Sequence, residues 1–184
     1  MDDELVMFSK QIHGDIHAEL GLDIIGKDFG LSLNPVLSVR HTGVSNLVAQ
    51  FYGFDRGPSA VGASLSDILR AAGQGSGILW TVEERSEVPA AVAKILSDVH
   101  QYGSSFYSRH SSIADLIKAL EAAAITSLNS AQLAVSYMVA GQIPEALSIL
   151  RRLEHLSETQ PALLARQTVR FVSSFREHFN VEGK

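Results

Sequence analysis

Apolar residues in the first part of this chain follow a helical spacing. Over the first twenty residues they fall three or four positions apart, at Leu5, Phe8, Ile12, Ile16 and Leu20. That spacing is typical of one face of an amphipathic helix. Asp2 or Asp3 can cap such a helix, and Gly21 can end it. The pattern therefore predicts an N-terminal helix.

Residues 29–54 follow a different pattern, with alternating apolar positions and short apolar runs. It predicts three short strands, interrupted at Asn34-Pro35 and at Thr42-Gly43. A further strand is predicted at residues 78–84, because alternate side chains there are apolar. We therefore expect about four strands in the first half of the chain.

Helical patterns dominate the rest of the sequence. The connection at residues 53–77 is rich in Gly, Ser and Pro and is too long for an unstructured loop in a compact domain. We therefore expect a short helix beginning at Ser64. An apolar stripe at Val88, Val92, Ile95, Leu96 and Val99 indicates the next helix, and a cap at Ser111 or Ser112 indicates the one after it. A third helix is predicted to start at Asn129 or Ser130 and to stop at Gly141. Two more are predicted at residues 143–156 and 161–179.

The separation of strands from helices indicates the fold class. It favours an α+β fold with an N-terminal helix, an antiparallel sheet of about four strands and a C-terminal helical half. With 184 residues and 46% hydrophobic content, the chain is long enough for one domain. We therefore expect a single domain over residues 1–184, with a helix-plus-sheet region at 1–84 and a helical region at 85–184.

The charge balance disfavours nucleic acid as a ligand. Fifteen basic and twenty acidic residues give a formal net charge of −5, whereas phosphate binding needs a basic surface. An acidic protein can instead meet a basic partner, although a charge of this size is also ordinary for solubility. Charged residues make up 19% of the chain, below the roughly 25% typical of soluble domains, which leaves neutral surface for a partner.

Cysteine usage and hydropathy limit the possible chemistry and location. The chain has no cysteine, which excludes disulfides, thiolate nucleophiles and cysteine-based zinc sites. Its N-terminus carries acids where a signal peptide carries Lys or Arg, and no segment approaches the roughly 18 consecutive apolar residues of a membrane span. We therefore expect a cytoplasmic protein with no membrane partner.

Two motifs resemble ligand sites without completing them. His13 and His17 have the spacing of a helical zinc motif, but Gly14 stands where the catalytic Glu belongs. A solvated helix face is the favoured interpretation. The glycine-rich residues 73–77 precede a strand and lack a following Lys-Ser or Lys-Thr, so a flexible turn is favoured over a phosphate loop. We predict no metal and no cofactor.

Three acidic residues, Glu83, Glu84 and Glu87, follow the strand predicted at residues 78–84. They can supply negative charge at the N-terminus of the next helix, which is the favoured interpretation. They can also form an interaction patch for a basic partner.

Ten positions between residues 29 and 120 follow an order that is found in other proteins. They are Trp80, Val82, Glu83, Val92, Ile95, Tyr102, Phe106, Ser112, Leu116 and Leu120. This order of strand, acids, aliphatic helix, aromatic break and further helix resembles a bacterial domain-of-unknown-function family of small α+β proteins related to toxin immunity proteins. The resemblance implies protein binding or no known activity.

Residues 133–155 carry a second pattern. Tyr137, Gly141, Ala146 and Leu150 stand where a tetratricopeptide-type helix pair places an aromatic residue, a turn residue, a small residue and a large apolar one. One copy is visible, whereas a stable array needs about three. We therefore expect a helical hairpin packed on the rest of the protein, and the resemblance again implies protein binding.

The leading hypothesis is a non-enzymatic cytoplasmic immunity protein that binds and inhibits a cognate bacterial toxin with a basic surface. It rests on the acidic charge, the missing catalytic motif and the resemblance, with acidic side chains steering the encounter. One alternative is a structural or adaptor module that binds proteins through its helical half. Another is a hydrolase or small-ligand enzyme with dispersed residues such as His13, His17 and His41. The predicted contact residues are Tyr52, Asp55, Arg56, Glu83, Glu84 and Glu87.

Overall fold

The chain divides into two compact units in a computed structural model. The first unit comprises Met1–Val39 and Val61–Ser111, and the second comprises Arg40–Ala60 and Ser112–Lys184. The boundary expected near residue 84 falls inside the first unit. The structure describes residues 4–27, 30–74, 80–123 and 126–181. The predicted positions that lie outside these ranges are Asp2, Asp3, Phe29, Gly75, Gly77 and Ile78.

The first element is an antiparallel hairpin, so the prediction of an N-terminal helix is wrong. Strand β1 (Glu4–His13) pairs with β2 (Ile16–Lys27), and Phe8 lies opposite Leu20. A two-residue turn joins the strands and begins at Gly14, whose φ of +48° suits the first central position of a type II′ turn. Apolar positions spaced by four also satisfy the two-residue repeat of a strand, so the spacing that predicts a helix fits this hairpin equally well.

One strand and one helix replace the three short strands predicted between residues 29 and 54, and that prediction is wrong. Strand β3 is Gly30–His41, and helix α1 is Thr42–Tyr52. The helix begins where a strand break was expected, because the His41 imidazole caps it. His41 Nδ1 accepts a hydrogen bond from the Val44 amide at 3.4 Å.

Two further strands pair with β3, both antiparallel. Strand β4 (Val61–Ser64) pairs with residues 36–39, and β5 (Trp80–Val82) pairs with residues 31–33. Pro35 lies between the two paired segments of β3, where a missing amide hydrogen costs no hydrogen bond to β4 or β5. Within the described residues the sheet has five strands, in the order β1-β2-β3-β4 with β5 beside β3. The expectation of an antiparallel sheet is therefore confirmed.

Short helical segments complete the first unit. Helix α2 (Leu65–Ala71) begins after Ser64, whose hydroxyl oxygen accepts a hydrogen bond from the Asp67 amide at 3.1 Å. This confirms the short helix expected in the connection at 53–77. The aromatic break expected near residues 102–107 is instead helical, with one widened turn. The segments in order are a 3₁₀ turn (Arg85–Glu87), α3 (Val88–Asp98), a π-helical turn (Val99–Gly103) and α4 (Ser104–Ser108).

The C-terminal helices belong to the second unit. Ser112 caps the first of them as predicted, since its hydroxyl oxygen accepts from the Asp115 amide at 3.2 Å. Thr126, rather than Asn129 or Ser130, caps the next. Most helices lie in the C-terminal half, which confirms that part of the α+β prediction. They are α5 (Ile113–Ala122), α6 (Ser127–Val139), α7 (Ile143–Thr159) and α8 (Ala162–Phe179).

An aromatic cluster lies in the core of the second unit. The Phe51 ring of α1 meets Phe171 and Phe175 of α8, with ring centroids 5.7 and 6.1 Å apart and near edge-to-face geometry. All three rings are fully buried, and each such pair adds about 0.5–1.5 kcal/mol beyond the area that it buries. Helices α6 and α7 pack together as the expected helical hairpin. The cluster therefore fixes α1 against helices that follow much later in the chain.

Candidate functional site

A groove lined only by apolar side chains opens in the first unit, between the β1–β2 hairpin and α3. Its volume is about 340 Å³, which is at the small end of the range for binding cavities. The hairpin and the helix contribute equally to its walls. The lining residues are Phe8, Leu20, Leu22, Val92, Ile95 and Leu96.

The local geometry of both elements produces this groove. Phe8 and Leu20 are cross-strand partners, and Leu22 lies two residues further along β2 on the same face of the hairpin. The three lining residues of α3 stand at positions i, i+3 and i+4, so they share one side of that helix. A strand face and a helix face therefore contribute apolar side chains to the same opening.

Much of this apolar surface contacts water. Phe8 is 61% exposed, Leu96 is 54% exposed and Val92 is 39% exposed. Ile95 is buried at the base of the stripe. Contact of apolar area with water is unfavourable by about 25 cal/mol for each Å², so grouped exposure of this kind typically marks a surface that a partner covers. Part of the apolar stripe of α3 is thus exposed surface.

The acidic residues after β5 form an ordered loop at the start of α3. The Glu87 carboxylate accepts hydrogen bonds from the backbone amides of Glu83 at 2.8 Å and of Glu84 at 3.2 Å. These two bonds lower the pKa of Glu87 below its ordinary value. Glu87 therefore forms a capping box with Glu84 around the 3₁₀ turn that precedes α3. The side chain of Glu83 makes no hydrogen bond within the described part of the chain.

The other predicted contact residues lie in the second unit. Tyr52 is buried, and its hydroxyl donates a hydrogen bond to the Ser127 carbonyl at 3.3 Å. Burial raises the pKa of Tyr52 to about 12. Asp55 and Arg56 are exposed in the segment after α1. Asp55 and Arg56 are thus at the surface, whereas Tyr52 packs in the core and is not offered to a partner.

The histidines of the incomplete zinc motif lie in the hairpin, so the prediction that they share a helical face is wrong. His13 ends β1, and His17 is the second residue of β2, with its Nδ1 3.5 Å from Ser9 Oγ. His41 is occupied as the cap of α1. In the ranges that the structure describes, no group of three or more His, Asp or Glu side chains is placed to hold a metal ion.

Comparisons with protein-family models, with curated proteins and with solved structures gave no match. Among the described helices, none combines the length and the apolar character that crossing a membrane requires. The functional proposal therefore rests on the geometry and chemistry of the chain itself.

Sequence reasoning missed the hairpin half of the groove, although a signal for it is present. Apolar residues occupy every second position of β2, from Ile16 through Ala18, Leu20 and Leu22 to Ile24. That alternation indicates a strand with one apolar face. A helical spacing accounts for the apolar residues Ile16 and Leu20. It does not account for the apolar residues Ala18, Leu22 and Ile24, which the alternation includes.

Proposed function

We propose that this protein binds another protein and blocks it, acting in the cytoplasm as a toxin immunity protein does. The observation that carries the proposal is the exposed apolar groove of the first unit, one wall of which is α3, the helix that follows Glu83, Glu84 and Glu87 in the chain. Burial of apolar side chains would supply affinity, and acidic groups at the margin would select a basic partner. The protein would inhibit its partner by covering the partner's surface, without catalysing a reaction.

The groove has the composition of an interface centre. Phe8 and Leu96 project large apolar side chains from two different elements, and both are more than half exposed. Interfaces concentrate their binding energy in a few such residues, which are covered completely when the partner docks. We therefore assign the main contact to the side chains of Phe8, Val92 and Leu96.

The acidic loop fits the margin of the same surface. Val88, which follows Glu87 directly, is 37% exposed and begins the stripe that Val92 and Leu96 continue. Exposed charges at an interface margin mainly accelerate association, and salt screens them. Glu83 and Glu84 would therefore attract a basic toxin surface, whereas the charge of Glu87 is partly used by its own backbone contacts.

Co-expression with the product of the adjacent gene tests the proposal. We expect the wild-type protein to neutralise that product and to form a stable complex with it on gel filtration. Leu96→Ser should weaken the complex by roughly tenfold, mainly through faster dissociation. Glu83→Gln should instead slow association and reduce its dependence on salt. Absence of a complex and of neutralisation would overturn the proposal.

An exposed apolar set on α8 favours one second candidate, an adaptor module that uses the helical half. Leu163, Leu164 and Val169 are exposed on this helix, while Phe171, Val172 and Phe175 are buried. Leu163→Ser is the matched variant, because it changes an exposed helical leucine in the second unit. Loss of binding in Leu163→Ser with normal binding in Leu96→Ser would support the adaptor and contradict the groove.

A further inference from the structure

A larger cavity, of about 680 Å³, opens elsewhere in the first unit. One wall is formed by β4 and α2, and the other by the helical segment from the π-helical turn to the end of α4. Its volume lies within the range of about 300–1,000 Å³ found for small-molecule sites. It shares no lining residue with the apolar groove.

The cavity is open because one wall consists largely of small residues. Gly62, Ala63, Ala71 and Ala72 line the side formed by β4 and α2, so no large side chain fills the space. Phe106 lines the opposite side, and only 4% of its surface is exposed. The apolar surface that the cavity offers to a ligand body therefore comes mainly from the small residues of the first wall.

Two basic side chains at the end of α4 are held in place by the helix itself. Arg109 Nε donates to the Ser105 carbonyl at 3.2 Å, and His110 Nδ1 lies 2.8 Å from the Phe106 carbonyl oxygen. Because a carbonyl oxygen only accepts, His110 Nδ1 carries the hydrogen in this bond. The His110 ring also packs on Phe106 at a centroid distance of 4.7 Å. Both side chains are thus positioned at the cavity wall.

The charges around the cavity leave one cation without a counter-ion. Asp67 also lines the cavity, but its carboxylate already accepts from Arg70 at 2.5 Å and from Ser64 at 2.6 Å. The terminal amino groups of Arg109 have no acceptor within the described residues. A guanidinium presents these donors in a planar fork that matches the two oxygens of a carboxylate.

We propose that this cavity binds a small organic carboxylate, with the carboxylate on Arg109 and an apolar body against Ala63, Ala71 and Ala72. The small residues of the β4–α2 wall provide the room for that body. The carbonyl groups of Ser105 and Phe106, which would repel an anion, are already hydrogen-bonded to Arg109 and His110. The proposal is independent of the apolar groove and of its protein partner.

Titration of the full-length protein with 4-phenylbutyrate tests this site, with calorimetry and amide NMR shifts as readouts. We expect saturable binding, with shifts concentrated in α2 and α4. The neutral isostere 4-phenylbutyramide should bind at least about tenfold more weakly, because it lacks the charge that Arg109 recognises. Equal affinity for the acid and the amide would overturn the proposal, as would the absence of binding.

Three variants separate the roles within the cavity. Arg109→Gln should reduce affinity for 4-phenylbutyrate about tenfold, and Ala71→Phe should block binding by filling the space. Arg85→Gln is the matched control, because Arg85 is exposed in the same unit and does not line the cavity. Unchanged binding in Arg109→Gln, or an equal loss in Arg85→Gln, would contradict recognition by Arg109. Circular dichroism checks that each variant is folded.

Discussion

Gly57 in the second unit leaves no room for a side chain. A Cβ atom at this position would lie 2.1 Å from Ser45 Oγ and 2.2 Å from the Ser45 carbonyl oxygen. Ser45 is buried on α1, and its hydroxyl donates to the Pro58 carbonyl at 3.0 Å. Neither atom can move without disturbing the helix or this hydrogen bond.

We therefore expect Gly57→Ala to lower the free energy of unfolding by about 2 kcal/mol, within the range for overpacked sites. Urea denaturation followed by circular dichroism measures this loss. The control is Gly62→Ala, where the nearest heavy atoms would lie 3.6 and 3.7 Å from the new Cβ, and where the change should stay below about 0.5 kcal/mol. Equal losses of unfolding free energy in the two variants would show that the close approach of Gly57 to Ser45 does not destabilise Gly57→Ala.

At the scale of elements, ambiguous spacing explains the wrong prediction for the hairpin. Phe8, Ile12, Ile16 and Leu20 are four residues apart, and a multiple of two fits a strand as well as it approximates a helical repeat. The opposite holds at α1, where a short apolar run predicts a strand but the residues form a helix. In both places the apolar positions alone fit a strand and a helix. The residues between and beside them identify the correct element.

The π-helical turn between α3 and α4 allows a test of how the protein tolerates the loss of one residue. Each hydrogen bond of this turn spans five residues instead of four, so the turn takes up one extra residue. Deletion of the exposed Gln101 should therefore convert it to an α-helical turn, leave the flanking helices in place and cost less than about 1 kcal/mol.

The matched deletion is Ser173, an exposed residue of α8 between the buried Val172 and Phe175. Its removal rotates Phe175 by about 100° relative to the residues before it, so the loss should approach the roughly 3–5 kcal/mol of removing a core phenylalanine. Thermal unfolding compares the two deletions. A larger loss for Gln101 than for Ser173 would refute the interpretation of the turn.

At the scale of the whole molecule, buried and half-buried tyrosines link stability to alkaline pH in both units. The pKa values of Tyr52, Tyr107 and Tyr137 are raised to about 12, with burial as the main cause. The charge of Glu19 adds to the effect at Tyr107, and a hydrogen bond to Glu121 adds to it at Tyr137. Each neutral tyrosine therefore contributes stability that is complete below the unfolded-state pKa of about 10.

Because the folded-state values are higher, this contribution is lost as pH rises from about 10 through 12. We expect the free energy of unfolding to fall over that window, as measured by urea titration at several pH values. Tyr52→Phe should show a shallower fall, and at pH 7 it should cost about 1 kcal/mol through the lost bond to Ser127. Parallel pH curves for the wild type and Tyr52→Phe would contradict the assignment to Tyr52.

The sequence by itself determined features that depend on near neighbours. The caps at Ser64 and Ser112 and the helical hairpin of α6 and α7 were predictable, because turn chemistry and apolar repeats act over a few residues. The α+β class followed from the same local signals, summed along the chain. Local signals also placed the acids at the start of α3.

Only the tertiary structure decided which apolar and polar residues are accessible. It buried Tyr52 and exposed Phe8 and Leu96, and it brought Arg109 to the wall of a cavity formed by α2. These outcomes depend on contacts between segments that are far apart in sequence, such as the hairpin and α3. A one-dimensional pattern shows which side chains prefer burial, but strand pairing and helix packing decide which of them remain uncovered.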